Sequence, residues 1–161
     1  MSTKKQNVRA IGIAVLLFFI TSLSVMAQGL IIKSTATGQM LTPETDYTYT
    51  DGVLTVKTAT AVTISSNGMQ TNDCIAVANG IKVTITLENV NIKKINGCPF
   101  DIQGNASVTL ILVGVNKLTS DYAIERQNNP YPALRCESKD NMTASLEIKG
   151  EGELMAIALA Q

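Results

Sequence analysis

One stretch limits what this chain can fold into more than any other: residues 82–118 carry the same residue pattern twice. Val83, Ile85, Leu87, Val90 and Asn91 recur 25 residues on as Val108, Leu110, Leu112, Val115 and Asn116, and Ile92 reaches Leu118 with a one-residue slip. Short strands of alternating polarity repeated at a period in the twenties are the mark of a stacked solenoid, because one unit alone cannot bury its apolar face. The expected fold class is all-β, with parallel coils stacked on one another. Composition agrees: aromatic residues make up 4% of the chain, with no Trp and no His, while Thr, Val, Ile, Asn and Gly recur throughout. β-Branched side chains pack well on a pleated face, and Gly and Asn serve corners.

Residues 1–27 read as an export signal. Lys4, Lys5 and Arg9 precede the uncharged apolar run Ala10 to Val25, and Val25-Met26-Ala27 places small residues for cleavage before Gln28. The run is shorter than the roughly 20 residues a spanning helix needs, so no membrane span is expected after cleavage. The 161 residues otherwise make one domain, divided into an N-terminal strand and hairpin cap over 28–60 and a coil domain over 61–161. Cleavage removes three of the 13 basic residues and none of the 13 acidic ones, leaving a net charge of −3. That balance is no nucleic-acid footprint.

Cys74, Cys98 and Cys136 all lie in the exported part. An odd count in an oxidising compartment allows one internal bridge at most, and the spacing fits no zinc pattern. The expected role is that of small apolar core residues. Cys74 and Cys98 are the pair that successive rungs would bring near.

Taken in order, Leu30 to Lys33 gives a first strand. Tyr47 to Val56, with Asp51-Gly52 at its centre, is a hairpin, since a two-residue turn needs positive φ and Asp-Gly tolerates it. Ile75 and Val77 pair with Phe100 and Ile102 as inward ladders. Leu134 and Cys136 fall on the same two positions at an offset of 34, and Leu146 to Leu154 is matched to Leu110 to Leu118 at an offset of 36. Insertions between Thr119 and Pro132 and over Glu137 to Thr143 absorb the excess. The last residues, Met155 to Gln161, are apolar and uncharged. An uncovered apolar rung invites aggregation, so the expectation is a truncated product or a partner covering the end.

The phrases DYTYTDGVLTV, VTITLENVNI, CPFDIQGNASVTLILVGVNKL, PALRCES and SLEIKGEGELMAIA, in this order, resemble a family of exported bacterial surface proteins. Its members are described as carbohydrate-binding-domain-containing and are frequent in gut Bacteroidetes and in Firmicutes. The resemblance covers about Asp46 to Ala158. It implies a right-handed parallel β-helix similar to the pectate-lyase fold, export to the periplasm, cell surface or medium, and contact with polysaccharide. Family members usually continue with further Gly-rich repeats where this sequence stops.

A lyase of this fold would need clustered carboxylates around calcium and a base to abstract a proton. The registers above give two outward columns: Ala76, Asp101 and Arg135, and Glu88, Val113 and Lys149. Neither stacks two acids. Each sets an acid near a base, Asp101 with Arg135 directly and Glu88 with Lys149 across a rung, which reads as a surface pair. Asp73, Asp121, Glu125, Glu137 and Asp140 lie in turns without forming a calcium loop. No catalytic residue and no metal site is assigned; no cofactor is called for, and calcium is the ion that the lyase alternative would need.

The insertion Ser120 to Tyr131 breaks the repeat and carries two of the four Tyr residues, an Arg and a run of amides. Sugars are recognised by flat aromatic faces with planar amide or guanidinium donors, displayed on loops of a rigid scaffold. Tyr122, Arg126, Asn128 and Tyr131 are therefore the binding candidates. The competing reading is an ordinary surface loop whose tyrosines pack on the coil. Asn91 and Asn116 read as a stacked amide ladder. Three functions remain open: a non-catalytic polysaccharide-binding or adhesin module, a pectate-lyase-like enzyme, and a structural spacer of a larger surface protein.

Overall fold

The computed structural model describes residues 29–122, 131–138 and 141–160. The proposed export signal lies outside these residues. Every regular element within them is a strand, and the strands form three sheets. Sheet one runs β1 (Ile31–Ser34), β4 (Val62–Ser65), β7 (Lys82–Glu88), β10 (Ser107–Val113) and β13 (Ser145–Gly150). Sheet two runs β5 (Gln70–Thr71), β8 (Asn91–Ile95), β11 (Val115–Tyr122) and β14 (Glu153–Ala160). Sheet three runs β2 (Tyr47–Thr50), β3 (Val53–Val56), β6 (Cys74–Val77), β9 (Phe100–Gln103) and β12 (Leu134–Glu137). From β3 onward each sheet takes every third strand, and all of those strands pair in parallel. The chain therefore makes four successive passes through the three sheets, β3–β5, β6–β8, β9–β11 and β12–β14.

The two antiparallel pairs stand at the N-terminal side. β1 lies along β4, and β2 along β3. The expected hairpin is present, with Asp51 at φ 53° and Gly52 at φ 72°, the double positive φ that a two-residue turn matched to strand twist requires. Its second strand is itself the first parallel member of sheet three.

The core is a set of columns one side chain thick. Leu54, Ile75 and Phe100 form one, Val56, Val77 and Ile102 another, and Val62, Ile85 and Leu110 a third, all of them buried. Burying a side chain of this size contributes about 1.5–3 kcal/mol. Here alternation puts every second residue of a strand into the core.

Two registers differ from the sequence reading. β7 and β10 pair at the expected offset, Val83 with Val108 and Leu87 with Leu112. β13 lies two residues off: Leu146 pairs with Val108 and Ile148 with Leu110. A slip of two keeps the same side chains inward, so hydropathy alone does not distinguish the alternatives. Gly150, at φ 99°, permits this register, since an added Cβ there would lie 2.5 Å from the Leu112 carbonyl oxygen. Lys149 consequently sits beside Ile111, not in the Glu88–Val113 column, and its Nζ pairs with Glu147 at 2.9 Å.

The second difference is at the corner between sheets one and two. Asn91 pairs with Lys117, not with Asn116. β8 starts after Asn89 and Val90, whereas the next pass places Gly114, Val115 and Asn116 before Lys117. The expected Asn91–Asn116 ladder therefore does not form. Asparagine stacking occurs instead at the corner between sheets three and one, where Asn79 Oδ1 accepts from Asn105 N and Asn105 Oδ1 from Thr143 N, both at 2.9 Å.

Candidate functional site

The insertion leaves the scaffold at the end of β11, where Tyr122 is placed opposite Ala160. The side chain of Tyr122 and the whole of Arg126 and Asn128 lie outside the described residues. Tyr131, at the return, is 37% exposed. Of the four binding candidates, then, Tyr131 is the one whose side chain is described, and it is partly exposed.

The Asp101–Arg135 column is as expected. Arg135 lies directly beside Asp101 on the next strand, with Nε donating to Oδ1 at 2.7 Å and Nη2 to Oδ2 at 2.6 Å. Hydrogen bonding to Asp101 holds the guanidinium pKa above its ordinary value. The Gln103 amide also donates to the Asp101 carboxylate. Both carboxylate oxygens of Asp101 are thereby engaged.

The acids expected in turns are occupied in similar ways, although Asp121 lies within β11 and Glu137 ends β12, so of the described three only Asp73 stands outside a strand. Asp73 Oδ2 accepts from Tyr49 Oη at 2.6 Å and from the Thr71 hydroxyl, and Tyr49 Oη in turn accepts from Leu30 N at 2.9 Å. This chain of contacts ties the entry to β1 onto the hairpin and the first pass. Burial, followed by the Asp73 bond, pushes the Tyr49 phenol well above its ordinary pKa. Asp121 Oδ2 meets Lys93 Nζ at 2.8 Å, and its buried Oδ1 has no hydrogen-bond partner. Glu137 approaches Arg135 at 3.7 Å. Glu125 and Asp140 lie outside the described residues, among which no three His, Cys, Asp or Glu side chains gather to hold a metal. All three cysteines are free thiols. Cys98 is buried and donates to the Phe100 carbonyl, and burial pushes its pKa up to about 11.

The corner between sheets one and two forms a groove that the sequence reading did not single out. A depression of about 610 Å³ is lined by Asn67, Gly68, Asn89, Val90, Asn91, Val115 and Lys117, drawn from three successive passes. Asn67, Gly68, Asn89 and Gly114 all turn the chain at positive φ. Asparagine tolerates that region better than most side chains, and the corners thereby line up their amides. Asn89 Oδ1 accepts from Val115 N at 3.3 Å, and an added Cβ on Gly114 would overlap the Asn89 side chain. Asn91 Nδ2 reaches the Gly68 carbonyl at 3.4 Å, while its buried Oδ1 has no partner. A second depression of about 600 Å³, around Gly114 and Gly150 to Glu153, shares Val115 with the first. Together they trace a line along one corner, amide and Lys117 on one part and Glu151 and Glu153 on the other. The available signal was an Asn or Gly shortly after β4, β7 and β10: Asn67-Gly68, Asn89 and Gly114.

No family model matches this chain, and neither does any curated protein or solved structure.

Proposed function

We propose that this chain is an exported, non-catalytic module that contacts polysaccharide at the bacterial cell surface, built as a right-handed parallel β-helix. The β-helix reading is supported by four passes that each add one parallel strand to each of three sheets, since parallel crossovers within a sheet are right-handed in almost all cases. The observation that carries the binding reading is the corner groove. Asn67, Asn89 and Asn91, with Lys117, bring amides and an ammonium from three successive passes to one depression, and the strands that carry Asn91 and Lys117 pair directly, about 4.8 Å apart. Polar groups repeated from pass to pass suit a long ligand with many hydroxyls. Tyr131, partly exposed, adds an aromatic side chain at the insertion. Asp101, Asp121 and Asp73 are engaged by Arg135, Lys93 and the Tyr49 and Thr71 hydroxyls, which favours the binding reading over the lyase alternative.

The test is retention on a polysaccharide array, with and without calcium, of the wild-type chain, a Tyr122→Ala/Tyr131→Ala variant and an Asn91→Ala/Lys117→Ala variant. The module reading expects retention that the groove variant loses. No retention of folded protein would move the assignment to a structural spacer, and release of unsaturated oligosaccharides would move it to a lyase.

A further inference from the structure

The side chains of the corner groove offer hydrogen-bond donors, and their acceptors are already taken. Asn67 Oδ1 accepts from Ser65 Oγ at 3.4 Å, Asn89 Oδ1 accepts from Val115 N at 3.3 Å, and Asn91 Oδ1 is buried. These contacts fix which way the amides face, because the Val115 N–H needs the oxygen of Asn89 and the Gly68 carbonyl needs the nitrogen of Asn91. Three lining carbonyls are bonded as well: Gly68 by Asn91 Nδ2, Asn89 by Gly68 N and Ser66 Oγ, and Val90 by Lys117 N. What remains on these side chains is the amide nitrogens of Asn67 and Asn89, the second N–H of Asn91 and Lys117 Nζ. Among the described residues Lys117 makes no ion pair, whereas Lys93 and Lys149 do.

Lys117 is also the only ionisable residue lining the depression. Glu88 precedes Asn89 in sequence and Glu153 stands opposite Val115 in register, and neither ion-pairs with Lys117. A sugar hydroxyl both donates and accepts, so a surface of donors satisfies only half of it. Carboxylate and sulfate oxygens only accept, and bonds to them are about twice as strong as neutral ones. We infer, resting on the polysaccharide reading above, that the ligand is an acidic glycan. Lys117 Nζ takes its carboxylate or sulfate beside Asn91, the residue it pairs with across the strands, while the amides of Asn67 and Asn89 donate to neighbouring sugar oxygens.

Titration calorimetry of the full chain with two matched pairs of probes tests this: alginate oligosaccharides against the same oligosaccharides after carboxyl reduction, and dextran sulfate against dextran. At least one acidic probe should bind about fivefold tighter than its neutral counterpart, the upper range for one exposed ion pair, and which one does so distinguishes carboxylate from sulfate. Lys117→Gln should remove that preference, and rising salt should shrink it. Lys82→Gln, at an exposed lysine outside the groove, should leave it unchanged. Equal or weaker binding of the acidic forms overturns the inference and leaves the polysaccharide reading standing, as does a preference that survives Lys117→Gln or is lost in Lys82→Gln. Binding of none of the probes overturns it too, and retention on the array then judges the polysaccharide reading separately. Should a variant unfold, the comparison of acidic with neutral probes on wild type decides.

Discussion

Asn116 offers the sharpest test of how the corners are held. It is completely buried, and its amide joins three passes: Oδ1 accepts from Val90 N at 3.0 Å, and Nδ2 donates to the Val113 carbonyl at 3.2 Å and the Glu153 carbonyl at 3.3 Å. The preceding pass carries buried Val90 just before Asn91, as Asn116 stands just before Lys117, which makes Asn116→Val the informative substitution. It supplies the apolar residue that the earlier corner uses while removing the amide. The Val113 carbonyl keeps a bond from Asn89 N at 3.3 Å, so the main loss is the buried Val90 N–H. An orphaned buried donor costs about 1–3 kcal/mol, and the unpaired Glu153 carbonyl raises the expected loss to about 2–4 kcal/mol. Stacked units can open separately, so urea unfolding should be paired with amide exchange. A loss of about 2 kcal/mol corresponds to roughly 30-fold faster exchange at Val90. If Asn116→Val unfolds within about 0.5 kcal/mol of wild type and Val90 exchange is unchanged, shape alone holds the corner and the hydrogen-bond argument is wrong.

Gly150→Ala should loosen β13 from β10, because the new Cβ meets the Leu112 backbone; exchange in β13 should accelerate while β7 is unaffected, and equal protection in both would contradict the register. Asp101→Asn should cost about 1 kcal/mol in urea unfolding, the upper range for a partly exposed pair, and a stability gain would show that desolvation outweighs the bidentate contact. For Cys98 the folded pKa is raised to about 11 by burial, against about 8.5 unfolded. Its contribution is therefore intact below about pH 8.5 and declines as pH rises towards the folded value. Wild type should lose more stability between pH 8 and pH 10.5 than Cys98→Ala does, and parallel profiles would refute the assignment. In native protein, Cys136 should react with alkylating reagents before Cys98, since the first is exposed and the second buried; the reverse order would contradict that burial.

Strand pairing was legible where alternation and spacing agreed. The offset joining Val83 to Val108, the Asp51-Gly52 hairpin and the Asp101–Arg135 contact follow from period-two patterning and turn chemistry. Where spacing varies, alternation has no power: shifting β13 by two residues leaves Leu146 and Ile148 inward in either register. Corner lengths were also hidden. Asn67, Asn89 and Gly114 all adopt positive φ, yet one residue more lies between Gly114 and Lys117 than between Asn89 and Asn91, the register partner of Lys117, and hydropathy does not carry that difference. The same blindness affected the candidate site. Asn91 and Asn116 look alike in sequence, yet one lines an open groove and the other is a buried clamp. Tyr131 was singled out by the broken repeat and is partly exposed, while the groove arises only where three successive passes meet at one corner.

The most direct measurement is an amide chemical-shift titration of the isotopically labelled chain with a soluble fragment of an array-retained polysaccharide. The account predicts shifts concentrated at Asn67, Asn89, Asn91, Val115 and Lys117, following one corner across successive passes. Shifts confined to other faces, or none under saturating fragment, would contradict it.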